Sequence, residues 1–520
     1  MAWLAGIGLL IKREYFKTGS VLLAEGATRV GPGASYYTLT TGGAPIGYIS
    51  STIDTTPDAI NLQSNTVLDV QALGTVQQLA VVIMATLSRT LQLRAFEATV
   101  TTITGGRSQR YRATGRAEGD TVLNVEIDAG GTRPQRQRMR LERPLVLPEL
   151  VNLRLAIGGE LQPGRSYTLR TFDALTMQER DVEMRVLAES TMIFPDSAAY
   201  DSAAQRWVPA RWDTVRAFRV QQATAGLSVD SWIDEQGHLV STSSPIGFHI
   251  ERTAFEIAVE NFRLARRRGQ GGLAVQPADG NDVIETTAIA ANVRLEPEAL
   301  RVLRVRLSNV SLGGFDLSGG RQQLLGDTLI VTRETNLGGT QPGPASPGED
   351  ARLPMGSGGD TAVARALQPE PLVQSDDPRI QAQARLIVGR ERRAGRVAEL
   401  LTRWVYQNLE KEITVSVPSA AQVLETRSGD CNEHTVVYVA LARAAGLPAR
   451  TAAGVVYLRG RFFYHAWPEV WLGRWVAVDP TFGQFPADAA HLRFVIGGLA
   501  RQVELVRLIG RLQLTVVSSE

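Results

Sequence analysis

Residues 428–484 constrain this chain more than any other stretch, because they call for a helix entry followed at once by paired strands. The run opens Ser428-Gly429-Asp430-Cys431-Asn432-Glu433-His434 and passes into an apolar helical pattern over 436–445. Gly446 and Pro448 then stop the helix. Gly429-Asp430 reads as the turn into it, which puts Cys431 at or near the first helical residue. Two β-rich runs follow, Arg461-Phe462-Phe463-Tyr464-His465-Ala466-Trp467 and Trp475-Val476-Ala477-Val478-Asp479-Pro480-Thr481, on either side of Leu472-Gly473-Arg474. With the turn centred on residue 472, His465 and Asp479 fall opposite each other across the ladder.

Cys431 is the single cysteine of the chain, so it has no intramolecular disulfide partner. At a helix start, unpaired N–H groups and the dipole favour a thiolate. The same N–H groups are candidate oxyanion donors. His465 follows 34 residues later and Asp479 another 14, which gives a nucleophile, a base and an orienting acid in chain order.

On these residues the sequence resembles the transglutaminase-like superfamily, built on a papain-like fold. Gly-Asp-Cys opens a helix, Tyr-His-Ala-Trp lies on a strand and Val-Asp-Pro-Thr on the next, across a match of roughly 375–520. The resemblance implies a catalytic Cys431, His465 and Asp479, with no cofactor and no metal. Many relatives carry an aromatic residue directly after the cysteine, where this chain has Asn432.

Blander readings stand beside these. His434, one turn after Cys431 on the same helix face, is placed to line the site but reads first as a solvated helix-start residue. Glu433 reads as a first-turn acid suited to the dipole. Trp467, Trp471 and Trp475 read as half-buried strand aromatics, and Trp404 as core. A metal site built from Cys431, His434, His465 and Asp479 lacks any close-spaced ligand pair.

The net charge of +2 gives no field for gathering nucleic acid, and no basic, aromatic-interleaved tract occurs. Residues 1–11 are uninterruptedly apolar and are followed by Lys12-Arg13. That is too short to span a bilayer and lacks the features of a signal peptide. It reads as the back half of a membrane anchor, with the rest of the chain on the extracytoplasmic (periplasmic) side. The alternative is a buried or interfacial helix in a cytoplasmic protein. The basic flank works against the first reading by the positive-inside rule.

A chain of 520 residues exceeds one ordinary core. Residues 1–30 form the anchor and connector. Residues 31–266 show period-two patterning with turn punctuation and read as one large antiparallel, strongly curved sheet or half-barrel, closing on a helix over 253–266. In that region His238 and His249 are isolated and read as structural. A small β segment spans 285–335 and a Gly/Pro/Ser-rich linker 336–374. The catalytic domain covers 375–520, where Asp377-Pro378 reads as a helix cap and the tail as completing the sheet around His465.

The fold class is therefore α+β, a β-rich N-terminal region followed by a papain-like domain. The expected function is cleavage or transfer of the acyl group of an amide through a thioester, with a protein or peptide as substrate. The other reading is a binding or scaffolding protein that grips a partner with its β region and leaves the triad idle. Lysine occurs only at Lys12, Lys17 and Lys411, so self-crosslinking is disfavoured. The sequence does not fix the oligomeric state.

Overall fold

The computed structural model describes residues 31–268, 284, 287–334 and 351–520, apart from short gaps at 73–74, 105, 120, 142–145, 174–177, 225–226, 245–246, 357 and 415. The expected anchor over 1–11 and positions 336–350 and 357 of the linker lie outside the described residues. Among the described residues, no helix is long and apolar enough to cross a membrane.

Two meanders build the N-terminal sheet. The first runs through β1 (Gly33–Thr41), β2 (Ala44–Thr55), β3 (Ala59–Ala72), β4 (Thr75–Ser88), β5 (Leu93–Thr104), β6 (Arg107–Glu118), β7 (Val122–Asp128) and β8 (Gln135–Arg140). The chain then crosses to the far edge. It returns through β9 (Ser166–Asp173), β10 (Gln178–Asp201), β11 (Arg206–Thr224), β12 (Leu227–Asp234), β13 (Leu239–Ser243) and β14 (Phe248–Thr253), the last pairing with β1. All fourteen strands form one sheet, with antiparallel ladders between neighbours. The curvature is visible in the core. Inward residues of β3 to β7, such as Ile60, Phe96 and Leu123, share one buried cluster with Phe172, Met184, Phe218 and Ile233 from the opposite flank. Phe96 and Phe172 approach to 5.8 Å between ring centroids.

Helix α1 (Val151–Ile157) fills the trough between the flanks with Val151, Leu153 and Leu155. A long sheet with one apolar face must cover that face, and curling over a helix does so. The expected Asp234–Gly237 hairpin turn is present, with Gly237 N–H on Asp234 O at 3.0 Å. The helix expected over 253–266 is π-helical at Glu256–Glu260 before continuing as α2 (Asn261–Arg267).

The C-terminal region contains α3 (Thr361–Arg365), α4 (Pro378–Val388), α5 (Ala394–Asn408), α6 (Ala420–Thr426), α7 (Cys431–Ala444) and α8 (Leu499–Gln502). Its strands are β15 (Ile289–Ala290), β16 (Val302–Ser308), β17 (Gln322–Leu325), β18 (Thr328–Thr332), β19 (Glu410–Lys411), β20 (Ser428–Gly429), β21 (Ala449–Leu458), β22 (Arg461–Trp471), β23 (Trp475–Ala477), β24 (His491–Ile496) and β25 (Gln513–Ser519). Helix α7 packs into a core with Ile380 of α4, Leu401 of α5 and Val470 of β22.

The segment read as a separate small β unit is joined to this region. Strand β15 pairs with β22, and β16 pairs with β25 of the tail. An alternating strand such as β16 buries Leu303, Val305 and Leu307, and its free edge needs a partner, which the tail supplies. Only β24 of the tail joins the sheet that carries His465.

The large sheet abuts the C-terminal helices at the turn after β7. Asp377 caps α4 by accepting from Arg379 N–H at 2.8 Å, and its other oxygen accepts from Thr132 N–H at 2.8 Å. Arg379 donates to Gly130 O at 2.7 Å. Burial works against ionisation of Asp377, but these donors outweigh it and hold the carboxyl below its usual range. Its stabilising effect is therefore present above the ordinary carboxylate pKa of about 3.9 and is lost as pH falls below it. Asp377→Ala removes a cap worth about 1–2 kcal/mol together with a link between the two regions. Denaturant unfolding of the variant should show that loss at neutral pH, with the gap to the parent narrowing below pH ~4. An equal stability of both proteins at neutral pH would refute it.

Candidate active site

Cys431 is the first residue of α7, as its sequence position implies. Asp430 is the N-cap and forms a capping box with Glu433: Asp430 Oδ1 accepts Asn432 N–H at 2.7 Å, and Glu433 Oε2 accepts Asp430 N–H at 3.0 Å. The cap and the following turn occupy the N–H groups of Asn432, Glu433 and His434. Of the first-turn amides this leaves that of Cys431 itself outside the cap.

Gly429 makes the turn possible. Its φ is +154°, and a Cβ there would lie 2.2 Å from Glu433 Cβ. Arg107 of β6 braces the same turn from the large sheet, donating to Thr426 O and Ser428 Oγ at 3.1 Å each.

Strand β22 carries His465. Along its outer edge, β15 covers positions 461–462 and β23 covers 469–471. The gap between them is where Cys431 sits, partly exposed, with the backbone N–H of Ala466 donating to its sulfur. Cys431 and His465 therefore meet through adjacent backbone. Their side chains make no hydrogen bond to each other in this state. Catalytic contacts in unliganded enzymes are often loose and tighten on substrate binding.

His465 and Asp479 are in contact, with Nε2 to Oδ2 at 2.7 Å and both residues buried. The pairing is shifted by two residues from the expected one. Trp471 pairs with Trp475 and Val470 with Val476, so the turn centres on Gly473. Extended by two residues, that register sets Asp479 opposite Trp467 and diagonal to His465, on the same face. The diagonal remains within reach of an imidazole. Bonding through Nε2 leaves His465 Nδ1 free, and the ring stacks on Phe482 at 4.9 Å between centroids and 13° between planes.

Asp479 receives more than the sequence indicated. Its Oδ1 accepts the N–H groups of Thr481 and Phe482 at 2.7 and 3.1 Å. Its Oδ2 is shared with a second histidine, His491, at 3.0 Å. Burial alone would raise the Asp479 carboxyl. His465 and His491 overcome that and hold it far below the usual range, so it is ionised. In the sequence His491 lies alone in a largely apolar run. Its spacing of three residues from Asp488, which it also contacts, is the available local signal.

The thiol departs from the expected thiolate. Burial raises it first, then the carboxyls of Asp430, Glu433 and Asp479, against only the Ala466 N–H. Asp430 is itself pushed well up, by burial and by Glu433.

His434 is wholly buried and not solvated. Its Nδ1 donates to Asp430 O at 2.7 Å, its Nε2 has no partner, and burial pushes the imidazole down. Trp467 is core, whereas Trp471 and Trp475 stack edge-on across the hairpin at 5.3 Å. Trp404 is only partly buried, beneath Arg427 at 4.5 Å.

His465, Asp479 and His491 offer three ligand atoms within 4.8 Å of one another. Both nitrogens already lie at hydrogen-bond distance from Asp479 Oδ2, so a cation would have to break those bonds to enter. Cys431 and His434 do not belong to that cluster.

Residues 381–480 match the family model of the transglutaminase-like superfamily, which bears out the resemblance read from the motifs. A solved structure from Cytophaga hutchinsonii, described as a "putative cysteine protease", is 16% identical with a TM-score of 0.27. The match covers 42% of this chain and 83% of that one. A "putative protease" from Parabacteroides distasonis is 10% identical with a TM-score of 0.19, covering 63% and 71% respectively. None of the curated proteins matches the chain.

Gly429→Ala should force Glu433 out of the capping box. The expected result is a loss of about 1–3 kcal/mol, the range for overpacking, with slower alkylation of Cys431 by iodoacetamide. Unchanged melting and alkylation would show that the turn tolerates a side chain.

Proposed function

We propose that the C-terminal region is a cysteine enzyme that opens amide bonds through a thioester. The observation that carries this reading is the buried His465–Asp479 pair, 2.7 Å apart, one backbone step from Cys431 at the start of a helix. Because its surroundings disfavour a free thiolate, Cys431 attacks the carbonyl as His465 takes its proton on Nδ1. The Cys431 N–H receives the developing oxyanion. His465 returns the proton to the leaving amine, and Asp479 holds the ring and stabilises its cation. Water or an external amine then resolves the thioester. Lysine, the usual acceptor in crosslinking, is nearly absent from this chain, and arginine stays protonated.

Cys431→Ala should abolish turnover of peptide or glutamine-amide substrates while leaving the melting transition in place. Asp479→Asn should reduce kcat by at least about 100-fold. Full activity in purified Cys431→Ala would remove the nucleophile assignment.

The acidic cap and the burial around the Cys431 sulfur favour a second reading, a binding protein with an idle site. Iodoacetamide separates the two, since a catalytic cysteine should be alkylated near neutral pH much faster than a buried structural thiol.

The apolar run over 1–11 supports an extracytoplasmic, membrane-attached location. Fractionation of native cells should find the protein with membranes. Recovery in the soluble cytosol would reject that placement.

A further inference from the structure

His491 lies at the start of β24 with no solvent exposure. Both ring nitrogens face carboxylate oxygens: Nε2 is 3.0 Å from Asp479 Oδ2 and Nδ1 is 2.9 Å from Asp488 Oδ1. Both carboxylates also accept from other donors. Asp479 takes His465 and the amides of Thr481 and Phe482. Asp488 takes Ala490 N–H at 2.9 Å and Gln484 Nε2 at 2.8 Å. Carboxyl groups whose neighbours on both oxygens are donors are best satisfied as ionised carboxylates. A neutral imidazole has one N–H and one lone pair, so it would set a lone pair against one of them. Two N–H groups remove the conflict.

We propose that His491 is a positioning residue of the active site, a standing imidazolium that shares the Asp479 carboxylate with His465 and cancels the charge of Asp488 behind it. The inference rests on the reading of His465 as the base. With His491 charged, the Asp479–His491–Asp488 set carries one net negative charge, which suits a single proton arriving on His465. Without that cation the set would carry two, and the proton received from Cys431 would be held on His465 when the leaving amine needs it.

The remaining groups around His491 fit this assignment. The His465 ring is 5.8 Å away, and the uncharged faces of Trp467 and Phe482 lie at 5.2 and 6.3 Å. Arg321 approaches from the segment before β17 but donates to the carbonyls of Ala487 and Asp488, and its guanidinium is 3.5 Å from Glu334. Two residues along β24, Arg493 is held by Glu469, which Arg450 also binds. Burial alone would lower the His491 imidazole, yet the two carboxylates outweigh it and hold it above the ordinary histidine range.

The test uses the full chain labelled with ring ¹⁵N-histidine, since it has only five histidines. In the native protein both His491 nitrogens should read as protonated from pH 5 to 9, where a free imidazole titrates near ~6.5. In His491→Gln the His465 signal should titrate about one pH unit higher, because a cation some 6 Å away has gone. In Asp488→Asn, His491 should become a neutral, singly protonated ring and the His465 midpoint should move less, because the net charge of the set is restored. Asp488→Asn carries the test alone if His491→Gln does not fold. A His491 that is neutral at pH 7 in the native protein overturns the proposal, as does a His465 midpoint unmoved in His491→Gln. These spectra do not depend on turnover, so failure of the enzyme reading, seen as no turnover and slow alkylation of Cys431 in the parent protein, is a separate result.

Discussion

The Asp479 carboxylate is the constraint on which the C-terminal region depends. It is fully buried, and an uncompensated buried charge costs several kcal/mol. Four donors from three segments meet that cost: the Thr481 and Phe482 amides, His465 of β22 and His491 of β24. The loop after Asp479 is closed by paired backbone bonds between Asp479 and Gln484. Satisfying one anion therefore fixes where β23 ends, how the chain returns, and where β24 enters the sheet. The orientation of the His465 ring follows from the same arrangement.

Cys431 is governed by a different balance. A helix start favours a thiolate by a fraction of a charge, and the effect is modest. Here the cap that builds the helix start is itself acidic, and Asp430 and Glu433 stand within reach of the sulfur. The residues that make α7 begin at Cys431 thus work against the anion the dipole would favour. In the proposed mechanism such a thiol hands its proton directly to a base, which makes the placement of His465 beside Ala466 more consequential than the dipole.

The N-terminal sheet bears on the site through contact. The turn after β7 reaches the α4 cap and the segment before α6, where Ser419 and Gln374 both bond Ala129 O. Arg107 of β6 holds the turn into the cysteine. Further along, Arg180 of β10 donates to Ala500 O of α8 at 2.7 Å. The sheet's own stability rests on curling over α1, so the surface it presents to the active-site turn is supported by a continuous apolar core.

By itself the sequence determined the elements whose signals are local. Asp377-Pro378 announces α4, Gly429-Asp430 announces a helix beginning at Cys431, and a turn centred on a single residue near Gly473 places His465 and Asp479 on one face. Period-two patterning gave a large antiparallel sheet. Tertiary structure decided what depends on distances between remote segments. It joined β16 to β25, curled fourteen strands over α1, buried His434, and brought His491 onto Asp479. The physical reason is that periodicity and capping are set by neighbours within a few residues. The pairing of distant strands is set by shared burial, and the charge state of a thiol or imidazole by groups that the fold alone brings close.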